Sequence, residues 1–164
     1  SEKRITRVDE LVKIIEKSKK KNFQKKINPS TKTFQALRIF VNKEISELIN
    51  GIVIATKLLK PGGKILVVSF HSIEDKIVKY FFSNYSKNKS KPSRYLPYDE
   101  NLNLALFEKY INKTIKPAKE ELNKNNPSRS AKLRFATRSK DKFIYPTNFI
   151  KKFSKYLEIE ASNV

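Results

Sequence analysis

The 164-residue chain carries 36 Lys and Arg against 16 Asp and Glu, a formal charge of +20, which excludes an acidic or neutral surface and favours a polyanionic partner. With 38% hydrophobic residues, 11 Phe and 7 Tyr, it can fill one modest core. It has no cysteine, so a disulfide framework, a thiolate zinc site and a Cys nucleophile are excluded, and a reducing compartment is compatible.

Residues 1–7 form no apolar signal core. Methionine is absent, position 1 included, and only Gly51, Gly62 and Gly63 occur where average usage gives roughly a dozen glycines. These features lead to the expectation of a fragment, and they leave no Gly-x-Gly-x-x-Gly or Walker loop to be written. Thr6 followed by Asp9 reads as a capping box for a short amphipathic helix carrying Val8, Leu11, Val12 and Ile15 and ending near Lys17. From Lys17 to Lys26, six lysines surround Phe23. That stretch reads either as a solvated loop or as one that contacts phosphates.

After Pro29, the positions Phe34, Leu37, Val41, Ile45, Leu48, Ile52, Ala55 and Leu59 step by three or four without a break, predicting one long buried helix. Thr31 or Thr33 is placed to cap it, and Pro61-Gly62-Gly63 ends it. The run Ile65 to Phe70 predicts a parallel strand buried on both faces. It is also the longest uncharged apolar run, far short of the ~20 residues that span a bilayer, so a membrane span is excluded. Ser72 then reads as the cap of a helix with Ile73, Ile77, Val78 and Phe81 on its apolar face. In an open α/β sheet, ligands bind beyond the carboxyl ends of the strands, and Phe70, His71 and Ser72 occupy that edge.

Residues 84–103 read as a long polar loop in which Tyr85, Tyr95 and Tyr98 alternate with basic residues. This pattern suits either single-stranded RNA or a disordered insertion. A weak strand is predicted at 109–115 and one or two helical turns at 118–123. Ala131 to Arg138 alternates, with Leu133 and Phe135 on one face and Lys132, Arg134 and Arg138 on the other, predicting a half-exposed strand near a sheet edge. Phe149, Ile150, Phe153, Tyr156 and Leu157 predict a last amphipathic helix that docks onto the domain.

Three segments together carry a family likeness: Thr31-Lys-Thr-Phe-Gln-Ala-Leu-Arg-Ile-Phe-Val-Asn-Lys-Glu44, Leu59-Lys-Pro-Gly-Gly-Lys-Ile-Leu-Val-Val-Ser-Phe-His-Ser-Ile-Glu-Asp-Lys76 and Asn126-Pro-Ser-Arg-Ser-Ala-Lys-Leu-Arg134. In this order and spacing the chain resembles the C-terminal part of the ribosomal RNA small subunit methyltransferase H family, also called MraW, over roughly residues 3–138. The resemblance implies an α/β fold, the C-terminal half of a class I (Rossmann-like) S-adenosylmethionine-dependent methyltransferase. Residues 1–28 would end an inserted helical subdomain, 29–139 would form the half-domain, and 140–164 would be an extension with an amphipathic helix. It further implies N4-methylation of a cytidine in the decoding centre of 16S rRNA, with the small ribosomal subunit as partner, a cytoplasmic location, no DNA or membrane partner, and room for a homodimer. S-adenosyl-L-methionine would be bound mainly by residues upstream of Ser1, so no cofactor ligand carries over, and no metal is implied. One departure stands out: family members usually have an Arg before the Ser-Arg step, where this chain has Pro127-Ser128 before Arg129.

The chemistry selects candidate residues. The exocyclic N4 of cytosine is a poor nucleophile because its lone pair is delocalised into the ring, so a catalyst must hold the base, accept hydrogen bonds from the amino group and align it for in-line displacement. His71, the single histidine, is the candidate for orienting the base or accepting a proton; the bland reading makes it a satisfied cap at a strand end. Glu74 and Asp75 read as structural charges at a helix N-terminus. Of the basic residues 29 are Lys and 7 Arg, with Asn and Ile also abundant, the pattern of an AT-rich coding sequence, so the arginines are more informative than the lysines. Lys32, Thr33, Gln35 and Arg38 at the long helix's start, Ser72, and Arg129, Lys132 and Arg134 are the candidate RNA-binding residues. The reading from another class is a non-catalytic basic RNA-binding or ribosome-associated module.

Overall fold

The computed structural model describes residues 4–18, 28–87 and 105–162. The lysine-rich loop beyond Ser18 and the segment holding Tyr95 and Tyr98 lie outside the described residues. The chain divides into two units, Ser1–Glu44 with Glu158–Val164, and Ile45–Leu157.

In the first unit, α1 (Val8–Ser18) buries Ile15. Its start differs from the expected Thr6–Asp9 box: the Thr6 N–H donates to Glu10 Oε2 at 3.3 Å, while Asp9 accepts from the Arg7 guanidinium at 2.9 Å. The second helix, α2 (Thr31–Asn42), begins after Ser30. Neither Thr31 nor Thr33 caps it, because Asn28 organises the entry by accepting at Oδ1 from the Ser30 N–H at 2.8 Å and from the Ser30 hydroxyl.

The single long helix of the sequence reading is two helices, α2 and α3 (Glu44–Leu58), separated at Lys43. Lys43 adopts φ +52° and ψ +37°, and its N–H closes α2 on the carbonyls of Ile39 and Phe40. Apolar periodicity continues through the break because one left-handed residue interrupts the helical hydrogen bonding without changing which residues are apolar. The Arg38 guanidinium spans the break to Glu44 through two hydrogen bonds of 2.8 and 3.1 Å.

In the second unit, α3 buries Ile45, Ile49, Ile52, Val53 and Thr56 at helical spacing. The chain turns at Gly62, whose φ is +82°, a conformation that glycine adopts without steric cost. A Cβ at Gly63 would lie 2.8 Å from Leu59 Cγ and 2.9 Å from the Lys60 carbonyl oxygen, so this second glycine is required by space. Strand β1 (Lys64–Ser69) follows, then α4 (Ser72–Asn84), α5 (Lys119–Lys124), a 3-10 turn at Asn126–Ser130, β2 (Lys132–Thr137) and α6 (Thr147–Ala161).

Among the described residues the sheet consists of β1 and β2, antiparallel, with Leu66 opposite Phe135, Val67 opposite Arg134 and Val68 opposite Leu133. The predicted strand at 109–115 is reduced to the isolated bridge of Ile115 to Leu133, and Phe107, just before it, bridges Arg138. Helix α4 packs on one face of the sheet. Strand β1 is therefore buried on one side only: Ile65 and Ser69 are buried, whereas Leu66, Val68 and Phe70 are exposed. A continuous apolar run marks both faces for burial, and among the described residues α4 covers just one of them.

The core lies between α4 and the chain that returns to it. Phe81 packs on Phe107 and Phe149 with ring centroids 5.4 and 4.6 Å apart, and Phe82 packs edge-on to Phe107 at 5.2 Å. Phe149 and Phe153 of α6 are buried, so this helix docks as its periodicity predicts. Tyr85 belongs to the same cluster, 5.4 Å from the Phe81 ring, and its hydroxyl accepts from the Phe149 N–H at 3.0 Å. That packing removes Tyr85 from the candidate RNA-stacking aromatics. Burial pushes its phenol pKa above the ordinary value.

Candidate functional site

The β1–α4 junction is built from the six consecutive residues Ser69 to Glu74. Strand β1 ends on Ser69, which is buried, and the chain reverses through Phe70 and His71 into α4. The N-cap is His71, with φ −136° and ψ 164°, and the expected cap Ser72 is the exposed first residue of the helix. The imidazole takes the role that Ser, Thr, Asn or Asp usually fills: Nδ1 accepts from the Glu74 N–H at 3.3 Å. Glu74 reciprocates, its Oε2 accepting from the Phe70 N–H at 2.8 Å and the His71 N–H at 3.3 Å. The result is a capping box that fixes three backbone positions at the carboxyl end of the strand.

With Nδ1 accepting, the ring proton of neutral His71 sits on Nε2. That nitrogen faces Glu74 Oε1 at 3.4 Å, and the His71 side chain is only 5% exposed. The junction thus presents a clamped backbone, the Phe70 ring and the Ser72 side chain to solvent, with the imidazole tucked behind them. Sequence reasoning found the position of His71 but missed Glu74 as its partner. The signal was present, because a Glu at the third helical position is the second half of a capping box.

One turn into α4, Asp75 is buried and receives two cations from β2. The Arg134 Nε and Nη2 donate to its two oxygens at 2.7 and 3.3 Å, and the Lys132 ammonium donates at 3.0 Å. Arg134 further donates to the Tyr110 hydroxyl and to Asn112 Oδ1, each at 3.0 Å. Burial alone would raise the Asp75 pKa, but the hydrogen bonds and charges of Arg134 and Lys132 outweigh it and hold the carboxyl below its ordinary value.

This arrangement corrects the expected basic outer surface on β2. The alternation is as predicted, but the sides are reversed. Lys132, Arg134 and Arg138 face inward and Phe135 faces out, because the carboxylate on α4 and the carbonyls of neighbouring loops provide partners that solvent would otherwise supply. Arg138 is buried and donates to the Leu106 carbonyl at 3.0 Å and the Asp141 carbonyl at 2.9 Å. Asp75, read from sequence as a dipole-stabilising charge, is indeed structural, as half of a buried ion pair.

Arg129, in the 3-10 turn, is exposed and donates locally to Asn126 Oδ1 at 3.3 Å. In the first unit, Lys32 is exposed and Thr33 and Gln35 are partly covered on the first turns of α2, while Arg38 is engaged by Glu44.

A site for S-adenosylmethionine needs backbone that approaches the ligand closely, usually through glycine. The described residues do not fit it: Gly62 and Gly63 lie before the amino end of β1, opposite the His71 junction, and Gly51 lies within α3. Among the described residues no helix is long and apolar enough to cross a membrane.

A model of the MraW methylase family matches residues 1–139. Among curated proteins, the chain is 48% identical over 120 residues to the ribosomal RNA small subunit methyltransferase H of Bartonella henselae, covering 73% of this chain and 34% of that protein. It is 49% identical over 114 residues to the protein of the same name from Bartonella quintana, covering 70% and 34%. The protein of that name from Brucella ovis is 39% identical over 139 residues, covering 85% and 40%. The chain therefore spans a little over a third of the length of these curated relatives.

Proposed function

As the chain belongs to the MraW methylase family, we propose that it provides the base-facing C-terminal part of an S-adenosylmethionine-dependent methyltransferase that modifies N4 of a cytidine in small-subunit rRNA. The observation that carries this reading is the His71–Glu74 capping box at the carboxyl end of β1, where open α/β sheets bind ligands. The names of the relatives supply the substrate class. The decoding centre as target and a cytoplasmic location follow from the family likeness.

In this reading S-adenosylmethionine is held mainly by the part of the family pattern that this chain does not match, and the chain's own residues act on the RNA. A target cytidine has to leave its stack, at a cost of a few kcal/mol, and its amino group must meet acceptors in fixed positions. The clamp formed by His71 and Glu74 fixes Phe70 and Ser72 at the strand end. Phe70 then offers a ring for the extruded base, and the Ser72 hydroxyl and local backbone carbonyls offer hydrogen bonds. Because both imidazole nitrogens face Glu74, His71 is assigned to orienting this junction rather than to receiving the proton from N4. Lys32, Thr33 and Gln35 on α2 and Arg129 are assigned to the RNA backbone, whereas Arg38 and Lys132 each hold a carboxylate. Arg134 is assigned to the fold.

The test joins this chain to the B. henselae sequence that precedes the matched stretch. The chimaera is incubated with small-subunit rRNA and methyl-labelled S-adenosylmethionine, and the digested nucleosides are identified by mass. Label in N4-methylcytidine supports the proposal. Label at another atom contradicts it, and tight RNA binding with no transfer favours the non-catalytic RNA-binding reading.

A further inference from the structure

Helices α4 and α6 carry five lysines for which the described residues supply no carboxylate. On α4, Asp75, Ile77, Val78, Phe81 and Phe82 are buried, and the opposite face carries Ser72, Lys76 and Lys79, spaced four and three residues apart and all exposed. On α6, Phe149 and Phe153 are buried, and Lys151, Lys152 and Lys155 are exposed on a separate arc of about 100°. Tyr80 joins the two faces. It follows Lys79 and lies one turn beyond Lys76, and its ring stacks on Phe149 with centroids 6.3 Å apart and meets Phe153 edge-on at 5.5 Å. Tyr156, 39% exposed, stands one turn beyond Lys152. Arg38, Lys87 and Lys132 each hold a carboxylate, whereas none of these five lysines forms an ion pair with a described residue.

A lysine-rich composition raises the number of cations without clearing acids from their neighbourhood. Helix α5 shows the ordinary mixture, with Lys119 and Lys124 beside Glu120 and Glu121. On α4 and α6 like charges stand three and four residues apart, Lys76 with Lys79 and Lys151 with Lys155, a spacing that destabilises a helix. The nearby acids are engaged or displaced: Glu74 caps the strand end, Asp75 binds Arg134 and Lys132, and Glu158 and Glu160 follow the last lysine of α6. We propose that the exposed faces of α4 and α6 form one track for the RNA strand flanking the base at the Phe70–Ser72 junction, with the five lysines on phosphates and Tyr156 stacking an unpaired base. RNA is favoured over an anionic membrane surface because the track begins at Ser72, beside the carboxyl end of β1, and sets an aromatic ring among its cations. The α6 half lies beyond residue 139, where the family model ends, so the family likeness does not assign it. The inference rests on RNA as the substrate class of the proposed function, and not on methyl transfer.

The test titrates the full chain with small-subunit rRNA at several salt concentrations and reads the slope of log affinity against log salt. Lys151→Gln, Lys152→Gln and Lys155→Gln together are expected to lower that slope by about 2, and Lys76→Gln with Lys79→Gln by about 1.4. Tyr156→Leu should weaken binding about tenfold with the slope unchanged. All six positions are exposed, so thermal unfolding midpoints should stay at the wild-type value, and Lys151→Arg, Lys152→Arg and Lys155→Arg together should keep the wild-type slope. Lys116→Gln, Lys119→Gln and Lys124→Gln, which remove the same charge around α5, should keep it as well. A wild-type slope in either the α4 or the α6 glutamine variant overturns the inference, and so does an α5 variant that loses as much slope as the α6 variant, because total charge alone would then be read. Variants that keep their rRNA affinity but lose binding to phosphatidylglycerol vesicles would assign the face to a membrane surface and overturn it too. Lys32→Gln and Arg129→Gln separate this inference from the proposed function: reduced slopes there, with unchanged slopes in the α4 and α6 variants, refute the track alone. A wild-type chain that does not bind rRNA refutes the track together with the proposed RNA-facing role.

Discussion

At the scale of single residues, the Asp75–Arg134 pair shows why one strand's charge could not be assigned to a surface from alternation alone. Arg134 is 6% and Asp75 12% exposed at the side chain, and removing one partner of such a pair leaves an uncompensated buried charge. Arg134→Met is expected to destabilise the second unit by about 3–5 kcal/mol, measured by denaturant unfolding. The pH dependence has a definite sign. The folded Asp75 carboxyl titrates below its ordinary value of 3.8, so the unfolded state binds the proton more readily. The pair's contribution is complete above that value and is lost as pH falls through the lower folded pKa. Unfolding midpoints should therefore drop more steeply below pH 4 in the wild type than in the Asp75→Asn, Arg134→Met double variant. The period of two was legible in the sequence. Which face would be inside depended on a carboxylate 59 residues away, and local pattern contains no such term.

His71 belongs to the same scale. If the imidazole acts by holding the junction, an asparagine that accepts the same Glu74 N–H should replace it. His71→Ala in the chimaera is expected to lower methyl transfer at least tenfold, and His71→Asn to recover most of that loss with an unchanged pH–rate profile. A His71→Asn enzyme as slow as the alanine variant would assign chemistry to the ring itself.

At the scale of elements, type was more legible than ends. The helical periodicity of α1, α3, α4 and α6 and the β-branched run of β1 identified those elements, because burial of one face writes itself into spacing. The division between α2 and α3 was not legible, since a left-handed Lys43 carries none of the glycine or asparagine signals that mark such caps. Capping was misread at α1, α2 and α4 for a related reason. Several polar residues compete at each helix start, and the winner is fixed by backbone entry angle. Where glycine did mark a turn, the two glycines make separable predictions. Gly62→Ala places a Cβ in open space at φ +82° and should cost about 1–2 kcal/mol of backbone strain. Gly63→Ala forces a contact with the Lys60 carbonyl, and the turn into β1 must shift. Gly63→Ala is expected to be the more destabilising in thermal unfolding, a difference that the Pro61-Gly62-Gly63 run itself does not show.

At the scale of the whole molecule, the charge of +20 divides into cations that are free and cations already spent. Arg134 and Arg138 are buried on internal acceptors, Lys132 and Arg38 each bind a carboxylate, and Lys32 and Arg129 are exposed. Binding to RNA releases counterions in proportion to the phosphates neutralised, so the slope of log affinity against log salt counts the free class and ignores the spent one. Neutralising Lys32 or Arg129 should lower that slope by roughly 0.7–0.9 each, with a modest loss of affinity that is uniform across RNA sequences. Arg134→Met should leave the slope unchanged under conditions where the variant is still folded, even though it also removes a positive charge. Titration of small-subunit rRNA at several salt concentrations separates these cases. Equal slopes for Arg129→Gln and the wild type would remove the 3-10 turn from the RNA surface, and a reduced slope for folded Arg134→Met would mean that RNA competes with Asp75 for the guanidinium. The composition that first suggested a polyanion counts every lysine equally; the fold determines which of them a phosphate can reach.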